Sequence, residues 1–308
     1  MTGPSAPGPH GGDVERIAAS LGRPVEEVLD LSASLNPLAP DARPALRAAL
    51  DSVDHYPDDT RATAALAEAI GVDPARLVLT NGGAEAIALV ARHRPVGWAD
   101  ECDFSLYRRH LERLDPAGPR WRSDPHNPTG RLAAPDDLAD IRDEAFYLLA
   151  TGTWTRGDRD ATVLGSLTKA WAIPGIRVGY VLARDGDEAD AIRALRPRWS
   201  VNGLVCAALP GLLELAEPLR WRDGIAELRS QLRELLGRHG FDAEPSDAPY
   251  LWVPSAAGLR DRLLPEGVVV RHGATFGHPD AVRIAVPDAD GLERLERALT
   301  TTEHRSDP

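Results

Sequence analysis

Residues 77–93 read LVLTNGGAEAIALVARH and constrain the fold more than any other stretch of the chain. A short apolar run, LVLT, is followed by a glycine turn and then by a helical pattern of apolar residues. This order is typical of α/β proteins that bind an anion at the N-terminus of a helix. The sequence therefore predicts an α/β fold with an anion site near Gly83.

Patterns on either side of this unit extend the same interpretation. Helices are predicted after Asp13, over residues 41–51 and over residues 61–70, and a strand is predicted over residues 175–183. From residue 250 onward the order is strand, helix, strand, strand, helix. That order predicts a small α+β unit at the C-terminal end.

Composition narrows the possible partners. The chain has 308 residues, 43% of them hydrophobic, and a formal net charge of −12, which disfavours nucleic acids and anionic membranes. Cys102 and Cys206 lack metal-ligand spacing, so no metal site is predicted, and the N-terminus lacks the apolar core of a signal peptide. We therefore expect a cytoplasmic protein that acts on a small molecule.

Lysine occurs once in the chain, as Lys169, although lysine and arginine together number 35. Codon bias explains the abundant arginine but not the exception, because a guanidinium group stays charged and cannot act as a nucleophilic amine. Ser166 and Thr168 flank the lysine, and Arg177 follows. An amine in this setting suits a phosphate-bearing aldehyde, and burial beside Arg177 is expected to lower its pKa.

The segment from Ser166 to Gly179 resembles the signature Ser-x-x-Lys-x-x-x-x-x-Gly-x-Arg-x-Gly of fold-type I pyridoxal-phosphate enzymes in the class I/II aminotransferase family. The stretches NGGAEAI, HNPTG, DEAF and VRIAV match the same family in its order. The resemblance implies a large domain with a mostly parallel sheet between helices and a smaller C-terminal α+β domain. It also implies pyridoxal 5'-phosphate as cofactor.

The resemblance assigns a role to each matching residue. Lys169 binds the aldehyde covalently and is the catalytic residue. Asn127 is expected at the pyridine oxygen, Asp143 at the ring nitrogen, Phe104 against the ring face and Arg283 at the substrate carboxylate. The remaining cofactor contacts, most of them to the phosphate, are assigned to Gly83, Ala84, Glu85, Ser166, Thr168 and Arg177, and to Tyr56 reaching from a second subunit.

A narrower resemblance covers the N-terminal region and WSVNGL at 199–204, which look like the threonine-phosphate decarboxylase group of cobalamin biosynthesis. In that group a His-Gly-Gly segment lies over the active site and contacts the substrate phosphate. Here the segment is His10, Gly11 and Gly12, and Asn36 is assigned to the same substrate site. Arg271 is a second candidate for the phosphate, although a solvated charge at a strand end explains it equally well.

The resemblance also implies a homodimer with shared active sites and three regions. These are an arm that covers the substrate (1–40), a shortened cofactor domain (41–204) and a small domain (205–308). The shortening lies between Phe104 and Asn127, and again before Asp143, where the expected strand is reduced to LADI at 138–141. Phe146 also stands where many family members have a tyrosine.

Three functions remain open at this point. The first is decarboxylation of L-threonine O-3-phosphate, and the second is transamination of a phosphorylated substrate such as histidinol phosphate. Both need the same ring-binding residues and differ in which bond to the substrate's Cα is held perpendicular to the ring. The third, motivated by the shortened domain, is a degenerate cofactor-binding protein without activity.

Overall fold

The computed structural model describes residues 11–157 and 160–304. The helices of this part are α1 (Val14–Leu21), α2 (Arg43–Ala48), α3 (Thr60–Ile70), α4 (Gly83–His93), α5 (Leu106–His110), α6 (Tyr147–Thr151), α7 (Leu167–Ala170), α8 (Gly186–Leu195), α9 (Gly203–Glu214), α10 (Pro218–Arg238), α11 (Leu259–Leu263) and α12 (Ala289–His304). The strands are β1 (Leu29–Leu31), β2 (Leu77–Thr80), β3 (Val96–Gly97), β4 (Arg113–Leu114), β5 (Trp121–Ser123), β6 (Ile141–Asp143), β7 (Thr162–Ser166), β8 (Gly179–Leu182), β9 (Tyr250–Val253), β10 (Val268–His272) and β11 (Val282–Ala285). Within the described ranges, no helix combines the length and apolarity needed to cross a bilayer.

The larger sheet has the strand order β2-β8-β7-β6-β5. Strands β5, β6 and β7 pair in parallel, whereas β8 lies antiparallel between β7 and β2. Four of the five strands therefore run in one direction, which agrees with the predicted mostly parallel sheet. Strand β2 is buried along its whole length, as expected for a strand covered by helices on both faces.

The smaller sheet has the order β1-β10-β11-β9, and three of its strands come from the predicted C-terminal α+β unit. The fourth strand, β1, comes from the N-terminal region and pairs in parallel with β10, with Leu31 opposite Val270. The two ends of the described chain thus meet in one sheet.

Three large hydrophobic cores accompany the two sheets in the described part of the chain. The first, with Leu66 and Trp171, and a second, with Val181, belong to the larger sheet, and the third, with Leu251, belongs to the smaller one. Helix α9 packs into the first core and against α3, although the predicted small domain begins at residue 205. The division into 1–40, 41–204 and 205–308 stays a prediction.

The shortened part of the cofactor domain is spanned by minimal elements. Between Phe104 and Asn127 the chain forms only α5 and the short strands β4 and β5. The strand before Asp143 was expected at residues 138–141 but is β6, Ile141–Asp143, which ends on Asp143 itself. Leu138 is 66% exposed whereas Ile141 is fully buried, so burial of Ile141 places the strand later than predicted.

Candidate active site

The candidate site lies where the strands of the larger sheet end. Strand β5 ends at Ser123, β6 at Asp143 and β7 at Ser166, just before Lys169. Because β8 runs antiparallel, the residues that precede it, including Arg177, lie at the same edge. These five residues line a cavity of about 200 Å³, in the position where α/β sheets commonly bind ligands.

The amine of Lys169 faces this cavity. Its Nζ lies 5.7 Å from the centre of the Phe146 ring. Desolvation, with smaller contributions from the charges of Arg283 and Arg177, lowers the pKa of Lys169 to about 8, and Asp143 opposes the shift. The neutral, nucleophilic form of the amine is therefore available near neutral pH.

The carboxylate of Asp143 opens into the same cavity. One oxygen accepts a hydrogen bond from the Tyr107 hydroxyl at 2.7 Å, and the other accepts from the Ala145 amide at 3.0 Å. Desolvation raises the pKa of Asp143 to about 6, so the carboxylate is mainly ionised at neutral pH. A cationic ring nitrogen would stabilise this charge.

The glycine turn forms an anion cradle at the N-terminus of α4. Gly82 has φ +80°, and a Cβ there would lie 2.4 Å from an Arg177 guanidinium nitrogen. A Cβ on Gly83 would lie 3.3 Å from the Ser166 Cβ, so both glycines keep the cradle open. The first backbone N–H groups of a helix lack partners within that helix and favour anions.

The hydroxyls of Ser166 and Thr168 lie 2.9 Å apart, and both residues line the cavity. Gly83 and Ala84 line it as well. The Glu85 carboxylate instead accepts hydrogen bonds from the Asn81 amide at 2.6 Å and the Ser200 hydroxyl at 3.1 Å. Any contact of Glu85 with an anion in the cradle must therefore come from its backbone N–H.

The opposite side of the cavity carries two buried arginines. Arg283 donates to Asn127 Oδ1 at 2.6 Å and to the Ser32 carbonyl at 3.1 Å, and its Nε is buried with no hydrogen-bond partner among the described residues. Arg271 lies opposite Arg283 in the β10–β11 pairing and contacts the Thr275 hydroxyl. The guanidinium groups of both arginines lie within 6 Å of the Phe276 ring centre.

Two neighbouring cations in a buried site repel each other. Burial, with a smaller contribution from the charge of Arg283, lowers the pKa of Arg271 to about 10. Arg271 is only 5% exposed and lines the cavity, so the structure places it in the site and not at a solvated strand end. This side of the cavity is suited to an anionic ligand.

The N-terminal residues predicted to bind the substrate do not all line the cavity. Gly11 lines the cavity and Gly12 donates to the Ser32 hydroxyl at 3.1 Å, whereas His10 lies outside the described residues. The Asn36 side chain bonds the Ala170 carbonyl and the Leu38 amide and does not line the cavity. Its predicted substrate contact stays untested.

Tyr56 lies outside the cavity of its own chain. Its ring is 79% exposed and stacks on Trp199 with 4.5 Å between ring centroids. Phe104, by contrast, lines the cavity, with its ring 5.8 Å from and edge-on to that of Tyr107. The predicted roles of both residues toward the cofactor stay predictions.

Sequence reasoning missed two polar residues that line the cavity, Tyr107 and Ser123, and one that is buried behind it, Asp103. Tyr107 follows Phe104 by one helical turn, a spacing that places both on one face and could have indicated it. Ser123 ends a strand beside the one that ends at Asp143, but a three-residue strand gives little periodicity to detect. Asp103 gave no signal beyond its position before Phe104.

Comparison with known proteins identifies the family. The family model "Aminotransferase class I and II" matches residues 101–299, which is well over half of the chain. The chain belongs to this family. Histidinol-phosphate aminotransferase 1 of Dechloromonas aromatica is 28% identical, with 94% of this chain and 95% of that protein covered. A second histidinol-phosphate aminotransferase, from Methylococcus capsulatus, is also 28% identical over 96% of this chain and 94% of its own length.

Solved structures show the same fold. Histidinol-phosphate aminotransferase from Sinorhizobium meliloti, in complex with pyridoxal-5'-phosphate, matches with a TM-score of 0.82 at 17% identity, covering 94% of each chain. L-threonine-O-3-phosphate decarboxylase from Porphyromonas gingivalis matches with a TM-score of 0.77 at 20% identity, covering 90% of this chain and all of the other.

The protein is thus a fold-type I enzyme that uses pyridoxal phosphate. The cavity fits this cofactor because it offers an amine for the aldehyde at Lys169 and a carboxylate for the ring nitrogen at Asp143. It also offers a helix N-terminus at Gly83, kept open by the absence of a Cβ, for the phosphate. When bound, the cofactor withdraws electrons from a bond to the substrate's Cα.

Proposed function

We propose that this enzyme acts on a small phosphorylated amino acid and that its reaction is the decarboxylation of L-threonine O-3-phosphate, a step of cobalamin biosynthesis. The observation that carries the proposal is the pair of buried arginines, Arg271 and Arg283, that face the same cavity as Lys169. A substrate with both a carboxylate and a phosphate would neutralise both cations. Threonine phosphate has these two groups on a four-carbon skeleton.

In this proposal each side chain has a defined task. Arg283 binds the substrate carboxylate, and Arg271 binds the phosphate together with the backbone of the Gly11–Gly12 segment. Asp143 keeps the cofactor's ring nitrogen protonated, and Asn127 holds the ring oxygen. Once carbon dioxide has left, Lys169 donates a proton to Cα, which its pKa of about 8 permits near neutral pH.

Transamination of histidinol phosphate is the second candidate. It is favoured by the curated relatives, which are named histidinol-phosphate aminotransferases and match nearly the full length of this chain. In that reaction Lys169 would remove the Cα proton and return it to the cofactor. Histidinol phosphate has a phosphate but no carboxylate. The second arginine would therefore bind a carboxylate of the second substrate, such as 2-oxoglutarate, which accepts the amino group.

The deciding experiment incubates the pyridoxal-phosphate-loaded protein with threonine phosphate, with and without 2-oxoglutarate, and identifies the products by mass spectrometry. Aminopropanol phosphate formed without the keto acid would support the decarboxylase. A parallel reaction contains histidinol phosphate and 2-oxoglutarate. Glutamate and a keto product formed only with 2-oxoglutarate would support the aminotransferase and overturn the first candidate.

We also propose that the active enzyme is a homodimer with shared sites. The proposal rests on the exposed Tyr56–Trp199 stack, which lies outside the chain's own cavity. Sedimentation should give a dimer, and Tyr56→Phe should weaken cofactor binding without changing the mass. A monomeric, fully active protein would contradict the proposal.

A further inference from the structure

Asp103 is a carboxylate buried immediately behind the cofactor site. It is 2% exposed and is not among the residues that line the cavity. Burial raises the pKa of Asp103 to about 6, while its hydrogen bonds and the charge of Arg122 oppose that shift. At neutral pH the group is mainly an ionised acceptor in a site where an unpaired charge would be strongly destabilising.

The Asp103 carboxylate receives three hydrogen bonds. The Phe104 amide donates to it at 2.7 Å, the Ser123 hydroxyl at 2.5 Å and the Ser123 amide at 3.1 Å. One side chain thereby joins the loop that carries Phe104 to the end of β5. Hydrogen bonds to a charged acceptor are among the stronger ones in proteins.

The Ser123 hydroxyl continues the network toward the cavity. Its oxygen accepts a hydrogen bond from the backbone N–H of Asn127 at 2.8 Å. Phe104, assigned to the ring face, and Asn127, assigned to the ring oxygen, are thus both connected to Asp103 within two hydrogen bonds.

We infer that Asp103 is a positioning residue that fixes Phe104 and Asn127 relative to each other and so sets the orientation of the cofactor ring. The need for it follows from the shortened cofactor domain. Between these two residues the chain has one five-residue helix and strands of two and three residues, which supply few backbone hydrogen bonds of their own. A charged hydrogen-bond centre compensates for that missing regular structure.

The inference rests on the cofactor assignment and not on the identity of the substrate. Its test therefore measures pyridoxal phosphate itself. Asp103→Asn keeps the size of the side chain but replaces one acceptor oxygen with an NH₂ group that must face donor N–H or O–H groups. Ser123→Ala removes the hydroxyl that links Asp103 to Asn127.

The readouts are the dissociation constant of pyridoxal phosphate, from an absorbance titration, and the visible circular dichroism of the bound cofactor, which reports ring orientation. We expect Asp103→Asn and Ser123→Ala each to raise the dissociation constant about tenfold and to reduce the dichroism band. The double variant should bind no more weakly than the single ones, because both break one network. Ser123→Thr keeps the hydroxyl and should restore binding.

Glu188→Gln is the matched control. Glu188 is also a buried carboxylate that accepts hydrogen bonds from a hydroxyl, that of Thr162, but it lies away from the cavity. This variant should lower the melting temperature and leave the dissociation constant within about twofold. Unchanged cofactor affinity and dichroism in Ser123→Ala would overturn the inference, and that variant decides the question even where Asp103→Asn fails to fold.

Discussion

The two sides of the cavity are built in different ways. The cofactor side consists of the glycine turn, Asp143 and Lys169, and each lies at the end of a strand of one sheet. The arginine side consists of Arg271, Arg283 and Ser32. It depends on β1 pairing with β10, and these strands come from opposite ends of the chain.

Because the two sides are built separately, a substitution on one side should leave ligand binding at the other side intact. The larger sheet, with its own core, holds the cofactor side, so cofactor binding should survive changes on the arginine side. Among the described residues, the arginine side hydrogen-bonds a residue assigned to the cofactor where Arg283 donates to Asn127. Changes there should appear in substrate affinity first.

Replacing Lys169 with Ala should give the largest effect and break the cofactor side alone. Covalent binding of pyridoxal phosphate should disappear, and turnover should fall by roughly 10³-fold or more, because a single acid–base group contributes roughly 10²–10⁴-fold. Absorbance spectroscopy of the purified protein measures the first effect. A spectrum identical to that of the unmodified protein would show that Lys169 does not bind the cofactor covalently. Far-ultraviolet circular dichroism verifies that the variant is folded.

The pH dependence of cofactor association should sharpen the assignment of the amine. Because the pKa of Lys169 is lowered to about 8, half of the amine is neutral at pH 8 and nearly all of it is neutral well above that pH. Below pH 8 the association rate should fall about tenfold for each pH unit, or roughly 100-fold at pH 6. Stopped-flow absorbance with the apoprotein measures this rate. A free lysine derivative serves as the control, and the rate at which it reacts with pyridoxal phosphate should keep rising to about pH 10. The same profile in the protein would show that the pKa of Lys169 is not lowered.

Arg271→Gln should break the arginine side and spare the cofactor side. Loss of a charged hydrogen-bond donor is expected to raise the KM for threonine phosphate by roughly 10- to 100-fold. The dissociation constant of pyridoxal phosphate should stay the same. Steady-state kinetics and the absorbance titration check the two statements. Arg92→Gln, on the exposed face of α4, is the matched control. If Arg271→Gln weakened cofactor binding as much as it raises the KM, the two sides would not be separable.

Ser32→Ala should give the smallest effect. The Ser32 hydroxyl accepts the Gly12 amide hydrogen bond and donates to Asp30, whereas the Ser32 carbonyl that binds Arg283 is retained. The KM for substrate should rise about threefold because, of these two hydrogen bonds, only the neutral one from the Gly12 amide holds a segment at the cavity. Ser20→Ala removes a serine hydroxyl that bonds the Ile17 carbonyl in α1 and should leave KM unchanged. A larger effect than that of Arg271→Gln would reverse the proposed ranking.

The fold was predictable where local pattern and burial agree. The strand at residues 77–80, the helix that follows it and the alternating C-terminal unit are all observed, because each has a run of apolar residues ended by a glycine or proline turn. The predicted helix over residues 61–70 is α3, Thr60–Ile70. Prediction was wrong about the strand before Asp143, whose position depends on the burial of Ile141.

The candidate site was predictable where chemistry depends on residue type. An isolated lysine, a glycine turn and an arginine in a strand have properties that other residues cannot supply, and the structure brings Lys169, Gly83 and Arg283 to one cavity. Asp103 and Ser123 could not be found in this way. They act through hydrogen bonds across the fold, and such bonds leave no periodic pattern in the chain.

The sequence by itself determined the chemistry of this protein: one amine able to react with an aldehyde, a helix N-terminus for a phosphate, and the family that shares both. Only the tertiary structure decided that β1 joins the C-terminal sheet, that Arg271 lies beside Arg283 and that Asp103 supports the cofactor site. Local features follow from residue type and spacing. Pairings between distant segments are decided by burial of apolar surface and by the need to satisfy every buried polar group.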